Sequence, residues 1–234
     1  VVASWGASWE IDPILQILLP AFAHTLYHRL DTDTEMGWPE AANHMFYETA
    51  KYLDSLGITE PWYFFEVDNT PLRPGWFVAL KQDYEQAQKP YMGVINVSRW
   101  VGLNGEIEIR GRHMVGTGIY SADLFKRCKS VHLLDIVPWD VAIGPEIIEE
   151  VHNTKLISHR WGTCRYRREE GRIYCDSIDP AMSYNAEMIS PEAVVCHGCK
   201  DMSLERLLDE EEKSQQLDKL LTADDAVMRM QPNS

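Results

Sequence analysis

Residues Pro61 to Trp76 read PWYFFEVDNTPLRPGW. Four consecutive aromatics, Trp62 to Phe65, lead straight into Glu66, Val67 and Asp68, and a proline-punctuated turn follows. A short apolar run bounded by turn residues reads as a buried strand, WYFFEV. Burying unpaired charge at the end of such a run is costly, so the two carboxylates need a partner: protein, water or a metal. Residues i and i+2 of a strand share a face, so Glu66 and Asp68 are predicted to project together from its carboxyl end. Ligands of open α/β sheets bind at that end. Two hard oxygen ligands there suit Mg²⁺ or Mn²⁺ carrying a diphosphate. The alternative is that Asp68 caps the turn around Asn69 and Thr70 while Glu66 pairs with an arginine, and the residues alone leave both open.

Outward from this stretch, the pattern alternates helices and strands. Ile14, Leu15, Leu18, Leu19 and Phe22 have helical spacing in a segment from Pro13 to about Leu30, interrupted at Pro20. A second helix is predicted from Pro39 to Leu56, with Ala42, Met45, Phe46, Thr49, Ala50, Leu53 and Leu56 on one stripe and Gly57 as its stop. Pro74 suits the first turn of a third helix, whose Trp76, Phe77, Leu80 and Tyr84 share a face. MGVINVS and LNGEIEIR follow as strands, and Asn104-Gly105 is a hairpin signal. HMVGTGIY reads as a strand entering a helix that Ser121 caps. PWDVAIGPEIIEEV reads as a loop and short helix, and KLISHRW, RIYC and EAVVCHG as brief strands. From Ser203 an exposed, charged helix is expected, fraying at the end. This order predicts an α/β fold with parallel strands in its sheet.

Composition narrows the function classes. With 234 residues, 45% of them apolar and 25% charged, the chain is long enough to bury a core of ordinary globular character. A formal charge of -14 argues against sequence-independent nucleic-acid binding, although DEEE at Asp209 to Glu212 supplies part of it. No apolar run approaches the roughly 20 residues that span a bilayer, so no membrane span is expected. The chain begins at Val1, nothing there reads as a signal peptide, and an N-terminal truncation is expected. Five cysteines without dense spacing read as reduced thiols, which implies a cytoplasmic setting.

Several segments in order resemble one family. FFEVDNTPLRPGWFVAL looks like the Glu-x-Asp-x-x-Pro-Leu-x-Pro-Gly-Trp segment of GT-A-type glycosyltransferases, especially those of phages and their bacterial relatives, where it is the equivalent of the metal-binding DxD. GWPEAANHMF resembles the element leading into the preceding helix. KPYMGVI, GRHMVGTGIYSADL, PWDVAI, LISHRWGTCRYR and the closing VVCHGCKDMSLERLL follow in the expected order, so the likeness spans roughly Gly37 to Leu208. VVASWGASWEIDPILQ does not match the strand and nucleotide-binding turn with which the family opens, and Val67 stands where a proline is frequent.

The resemblance implies a GT-A-like mixed sheet flanked by helices over residues 1–202, with the start of the domain expected to be incomplete, then a charged helix and tail over 203–234. It implies a cytoplasmic glycosyltransferase, in a bacterial host if phage-encoded, moving a sugar from a nucleotide-diphosphate donor to a glycan, a protein or a modified DNA base. Asp68, with Glu66, would hold Mn²⁺ or Mg²⁺, and His197 of the closing segment would be a further ligand. Lys200 would neutralise the departing diphosphate, Asn43 would contact the nucleotide, and Asp140 of PWD would deprotonate the acceptor hydroxyl.

Other readings stand beside these. His197 suits a buried histidine bonded to backbone, Lys200 a solvated side chain, and Asp140 a helix or turn cap. His113 and His159 read as structural or acceptor-lining. Asp31-Thr32-Asp33 is a literal DxD without a preceding apolar strand. Cys164, Cys175, Cys196 and Cys199 supply four thiols for a structural zinc, though only one C-x-x-C is present. HRWGTCRYRREEGR mixes aromatics with five arginines, as nucleic-acid stacking platforms do, or lays them on the exposed face of a hairpin. A catalytically degraded relative acting as a binding protein is the alternative to an enzyme.

Overall fold

The computed structural model describes residues 2–4, 27–29, 39–66, 68–101, 107–129, 137–160, 164–177, 187–199 and 202–213. Short strands β1 (Val2–Ser4) and β2 (Tyr27–Arg29) precede helix α1 (Glu40–Ser55). Strands β3 (Trp62–Phe64) and β4 (Asn69–Pro71) lead to α2 (Trp76–Ala87), followed by the long strands β5 (Tyr91–Val101) and β6 (Ile107–Tyr120). Then come α3 (Leu124–Arg127), α4 (Trp139–Ile147), a 3₁₀ turn (Ile148–Glu150), β7 (Val151–Asn153) and β8 (Ile157–His159). The hairpin β9 (Cys164–Glu169) and β10 (Arg172–Ser177) is followed by β11 (Glu187–Met188), β12 (Val195–His197) and a helix α5 over 203–213. No described helix is long and apolar enough to cross a membrane.

The chain divides into two compact units, Val1–Phe64 with Lys89–Asn153, and Phe65–Gln88 with Thr154–Ser234. In the first, a four-stranded sheet runs β3-β6-β5-β7. The predicted stripe of α1 buries Phe46, Ala50 and Leu53, and the helix ends at Leu56 just before Gly57, whose φ is 65°. Phe46 stacks on Trp139 at 3.5 Å and 7°, with Phe64 and Tyr120 edge-on to it at 5.3 and 5.2 Å. Aromatic pairs of this kind add about 0.5–1.5 kcal/mol each beyond their buried area. At Gly144 of α4 a Cβ would lie 2.8 Å from His113 Cβ on β6, so only glycine lets that helix sit so close to the strand.

The α/β class is seen, and the parallel strands expected from the alternation of helices and strands occur within sheets that also carry antiparallel pairs. The sheets are mixed, with β3–β6, β5–β6, β9–β10, β10–β11 and β4–β12 antiparallel, and β1–β2, β5–β7 and β8–β12 parallel. Strands β5 and β6 pair up to Val101↔Ile107, and a connection that short can only make a hairpin. Asn104 and Gly105 lie outside the described residues. So does most of the helix predicted from Pro13 to Leu30, but its end is a strand: Tyr27–Arg29 pairs with Val2–Ser4. The N-cap of α3 is Asp123 and not Ser121, whose carbonyl accepts from Leu124 N–H at 3.1 Å while its hydroxyl bonds the Asp123 carboxylate.

The second unit holds two three-stranded sheets, β4-β12-β8 and β11-β10-β9. Tyr166, Cys175, Ile189, Cys196, Cys199 and Leu204 form its core. Here α5 departs from the exposed helix expected: Leu204 is fully buried, and Leu207 and Leu208 pack on the same cluster. Helix α2 is the converse. Of the face predicted to be apolar, only Leu80 is buried, while Phe77 is 44% exposed.

Candidate metal centre

Strand β3 ends at Phe64, and Phe65 is already 44% exposed. Glu66 and Asp68 therefore do not share a face by strand alternation, as the sequence suggested. They are placed by a tight turn in which Glu66 C=O accepts from Asn69 N–H at 3.0 Å. The turn is fastened from the other side by the closing segment. Asp68 C=O accepts from Gly198 N–H at 3.1 Å and from Cys199 N–H at 3.0 Å.

The three-stranded sheet of the second unit does the rest. Strand β12 pairs antiparallel with β4, setting His197 opposite Asn69, and parallel with β8, setting His197 beside His159. All three residues of β12 are buried, as expected of a central strand. Gly198 then turns the chain away with φ of +97°, and a Cβ there would lie 2.2 Å from Arg160 C=O. The glycine in CHGC is thus required both by conformation and by the close approach of β8's end, where Arg160 N–H donates to His197 C=O at 2.9 Å.

His197 Nε2 lies 3.3 Å from Asp68 Oδ1 and 3.4 Å from Glu66 Oε2. One ligand atom from each residue falls within 4.8 Å of the others, and among the described residues this is the one group of three or more His, Cys, Asp or Glu so placed. His197 is 7% exposed, and the carboxylates remain partly open to solvent. Burial pushes the imidazole pKa down, but hydrogen bonds to Asp68 and Glu66 prevail and lift it to about 9. A proton on His197 is therefore the counter-charge to the two acids when no other cation is there.

These residues fit a divalent ion. Ligand atoms about 3 Å apart are what an octahedral ion with bonds of about 2.1 Å requires, and the separations to Nε2 are close to that. Two carboxylate oxygens and one imidazole nitrogen favour Mn²⁺ over Mg²⁺, which prefers oxygen alone. Three protein ligands leave coordination positions for substrate oxygens. The turn carries a backbone hydrogen bond, and Glu66 faces a histidine.

His197 Nδ1, on the far side of the ring, lies 2.9 Å from His159 Nδ1, and the two rings are 4.9 Å apart. The sequence marked His159 only as structural or acceptor-lining, because its place beside His197 depends on the parallel register of β8 and β12.

The other expected site residues fall differently. Asn43 belongs to the first unit, is 2% exposed, and spends both ends of its side chain on the fold: Nδ2 donates to Val137 C=O at 2.9 Å and Oδ1 accepts from Trp139 N–H at 2.7 Å. This corrects its expected nucleotide contact to a clamp on the start of α4. Asp140, also in the first unit, accepts from Val141 N–H at 2.9 Å through Oδ1, and Oδ2 lies 3.7 Å from His113 Nε2. Burial pushes the His113 pKa down to about 4, so that histidine is neutral at pH 7. Lys200 and Asp31-Thr32-Asp33 lie outside the described residues.

Cys175, Cys196 and Cys199 are buried free thiols and do not form a metal-holding group among the described residues; of the Cys164 side chain nothing is described. Cys196 and Cys199 instead flank the Tyr166 hydroxyl at 3.6 Å each, within the core. The arginine-rich hairpin is tied up internally. Arg167 bonds Asp176 at 2.8 Å and lies over the Tyr174 ring, and Arg168 bonds Glu211 at 2.6 Å. Paired in this way, those two arginines match the reading that lays them on the face of a hairpin.

Comparison with family models, with curated proteins and with solved structures gives no match for this chain.

Proposed function

We propose that the chain is a metal-dependent glycosyltransferase of GT-A-like fold, transferring a sugar from a nucleotide-diphosphate donor to an acceptor hydroxyl. One observation carries the reading. Glu66 and Asp68, with His197 far along the chain from both, are marked together by the resemblance and bring their ligand atoms within 4.8 Å of one another. The mixed α/β architecture is compatible with that fold.

In this reading Glu66, Asp68 and His197 hold Mn²⁺, which when bound acts as a Lewis acid on the leaving diphosphate, an effect worth several kcal/mol. Asp68 is the best-anchored ligand, since its backbone is tied to Gly198 and Cys199. His197, on a central buried strand, contributes a fixed nitrogen. Lys200, next in chain to Cys199, is assigned to the diphosphate as a point charge. Asp140 is assigned as the base toward the acceptor hydroxyl; its Oδ1 is oriented by the Val141 N–H. Asn43 has no part.

The test is release of sugar from a panel of radiolabelled nucleotide sugars with Mn²⁺, Mg²⁺ or chelator. Turnover that requires Mn²⁺ and is lost in Asp68→Ala is expected. Absence of both turnover and donor binding in the folded, Mn²⁺-loaded protein would sink the transferase reading.

A further inference from the structure

From the row of side chains across β4, β12 and β8, we infer that His159 is a positioning residue for the cation site: its Nδ1 accepts the Nδ1–H of His197 and thereby presents His197 Nε2 as an unprotonated ligand. The inference rests on the metal reading above and goes beyond it, because His159 is no ligand in that reading.

The argument is one of proton counting. Two Nδ1 atoms 2.9 Å apart make a hydrogen bond only if one carries a proton and the other a lone pair. His197 Nε2 is directed at Asp68 and Glu66, at 3.3 and 3.4 Å, so that nitrogen must coordinate any cation those acids share. A ligating imidazole is neutral, and its single proton then sits on Nδ1. His197 is thus the donor in the histidine pair and His159 the acceptor, with the His159 proton on Nε2.

The same bond also fixes the ring. Nothing on β12 itself sets the rotation of His197 about its side-chain bonds, whereas the parallel register His197↔His159 brings the acceptor alongside at one height. The rings are inclined by 33° with centroids 4.9 Å apart, so the pair is held by the hydrogen bond as well as by contact. When the site exchanges a proton for a cation at Nε2, the Nδ1 bond is unchanged. The ligand is ready-oriented in both states. Partners of this kind hold metal-bound histidines in one tautomer, and their loss costs about 10- to 100-fold in metal affinity.

The experiment compares Mn²⁺ binding, read by the spin-resonance signal of the free ion, in the unsubstituted protein, Asp68→Ala, His159→Leu and His159→Asn. In asparagine the side-chain oxygen takes the place of Nδ1 and keeps an acceptor; leucine keeps bulk without one. Affinity should fall about 10- to 100-fold in His159→Leu and recover most of that in His159→Asn, with both folded by circular dichroism. Nitrogen-15 spectra of the Zn²⁺-loaded protein should show His159 unprotonated at Nδ1 and protonated at Nε2, a signature that mere packing would not impose.

Equal affinity in His159→Leu, with binding still lost in Asp68→Ala, overturns the role of His159 and leaves the metal reading standing. Equal loss in His159→Leu and His159→Asn reduces His159 to a packing residue, which also overturns it. No Mn²⁺ bound to the unsubstituted protein, or binding indifferent to Asp68→Ala, overturns the metal reading and this inference together.

Discussion

Raising the pH should tighten cation binding, because ion and proton compete for His197 Nε2. The imidazole pKa stands at about 9, held up against burial by the hydrogen bonds it donates to Asp68 and Glu66. Only neutral imidazole ligates. At pH 7 roughly one molecule in a hundred has His197 neutral, and at pH 6 roughly one in a thousand. Apparent Mn²⁺ affinity should therefore rise about tenfold per pH unit, or about 100-fold from pH 6 to pH 8. A histidine of ordinary pKa would give only about fourfold over that range. Titration calorimetry in two buffers of different ionisation enthalpy measures both quantities, and should find about one proton released per ion bound. Affinity that levels off above pH 7, or binding without proton release, would refute the reasoning.

The same shift has a consequence for the ion-free protein. A folded pKa above the unfolded value of about 6.5 stabilises the fold fully below that pH, and the contribution is lost as pH rises through about 9. The expected loss is roughly 3 kcal/mol at most, from the difference between the two pKa values. Urea denaturation at pH 6.5, 8 and 9.5, with chelator and then with Mn²⁺, should show the loss and its reversal by the ion.

Three further predictions concern the framework. Gly198→Ala, which would place a Cβ 2.2 Å from Arg160 C=O at φ of +97°, should cost at least about 2 kcal/mol in denaturant titration and weaken Mn²⁺ binding. Asn43→Ala removes two hydrogen bonds and strands the buried Trp139 N–H, so a destabilisation of about 2–4 kcal/mol is expected in the same assay. Bound Mn²⁺ should survive Cys199→Ser and disappear in Asp68→Ala; metal analysis giving the reverse would restore the four-thiol site.

Local pattern accounted for much of the second structural level. The apolar stripe of α1, its stop at Gly57, the strands around ISH, RIYC and VCH, and the hairpin from β5 to β6 all follow from periodicity and turn chemistry, which are short-range properties. Residue type and position nominated Glu66 and Asp68, two acids closing an apolar run, whereas His197 was joined to them only by the resemblance to GT-A-type glycosyltransferases.

What the sequence left undecided were the tertiary pairings. Whether α5 faced solvent or a core, and whether Asn43 met a ligand or the start of α4, depended on partners elsewhere in the chain. The carboxylates are the sharpest instance. They meet not because a strand aligns them but because a turn, closed by Asn69 N–H, is tied down by Gly198 and Cys199. His159 enters only through the register of two parallel strands, and parallel pairing leaves no local mark since its strands are joined by long connections. Candidate residues could be named from the sequence; the geometry that brings three of them within 4.8 Å could not.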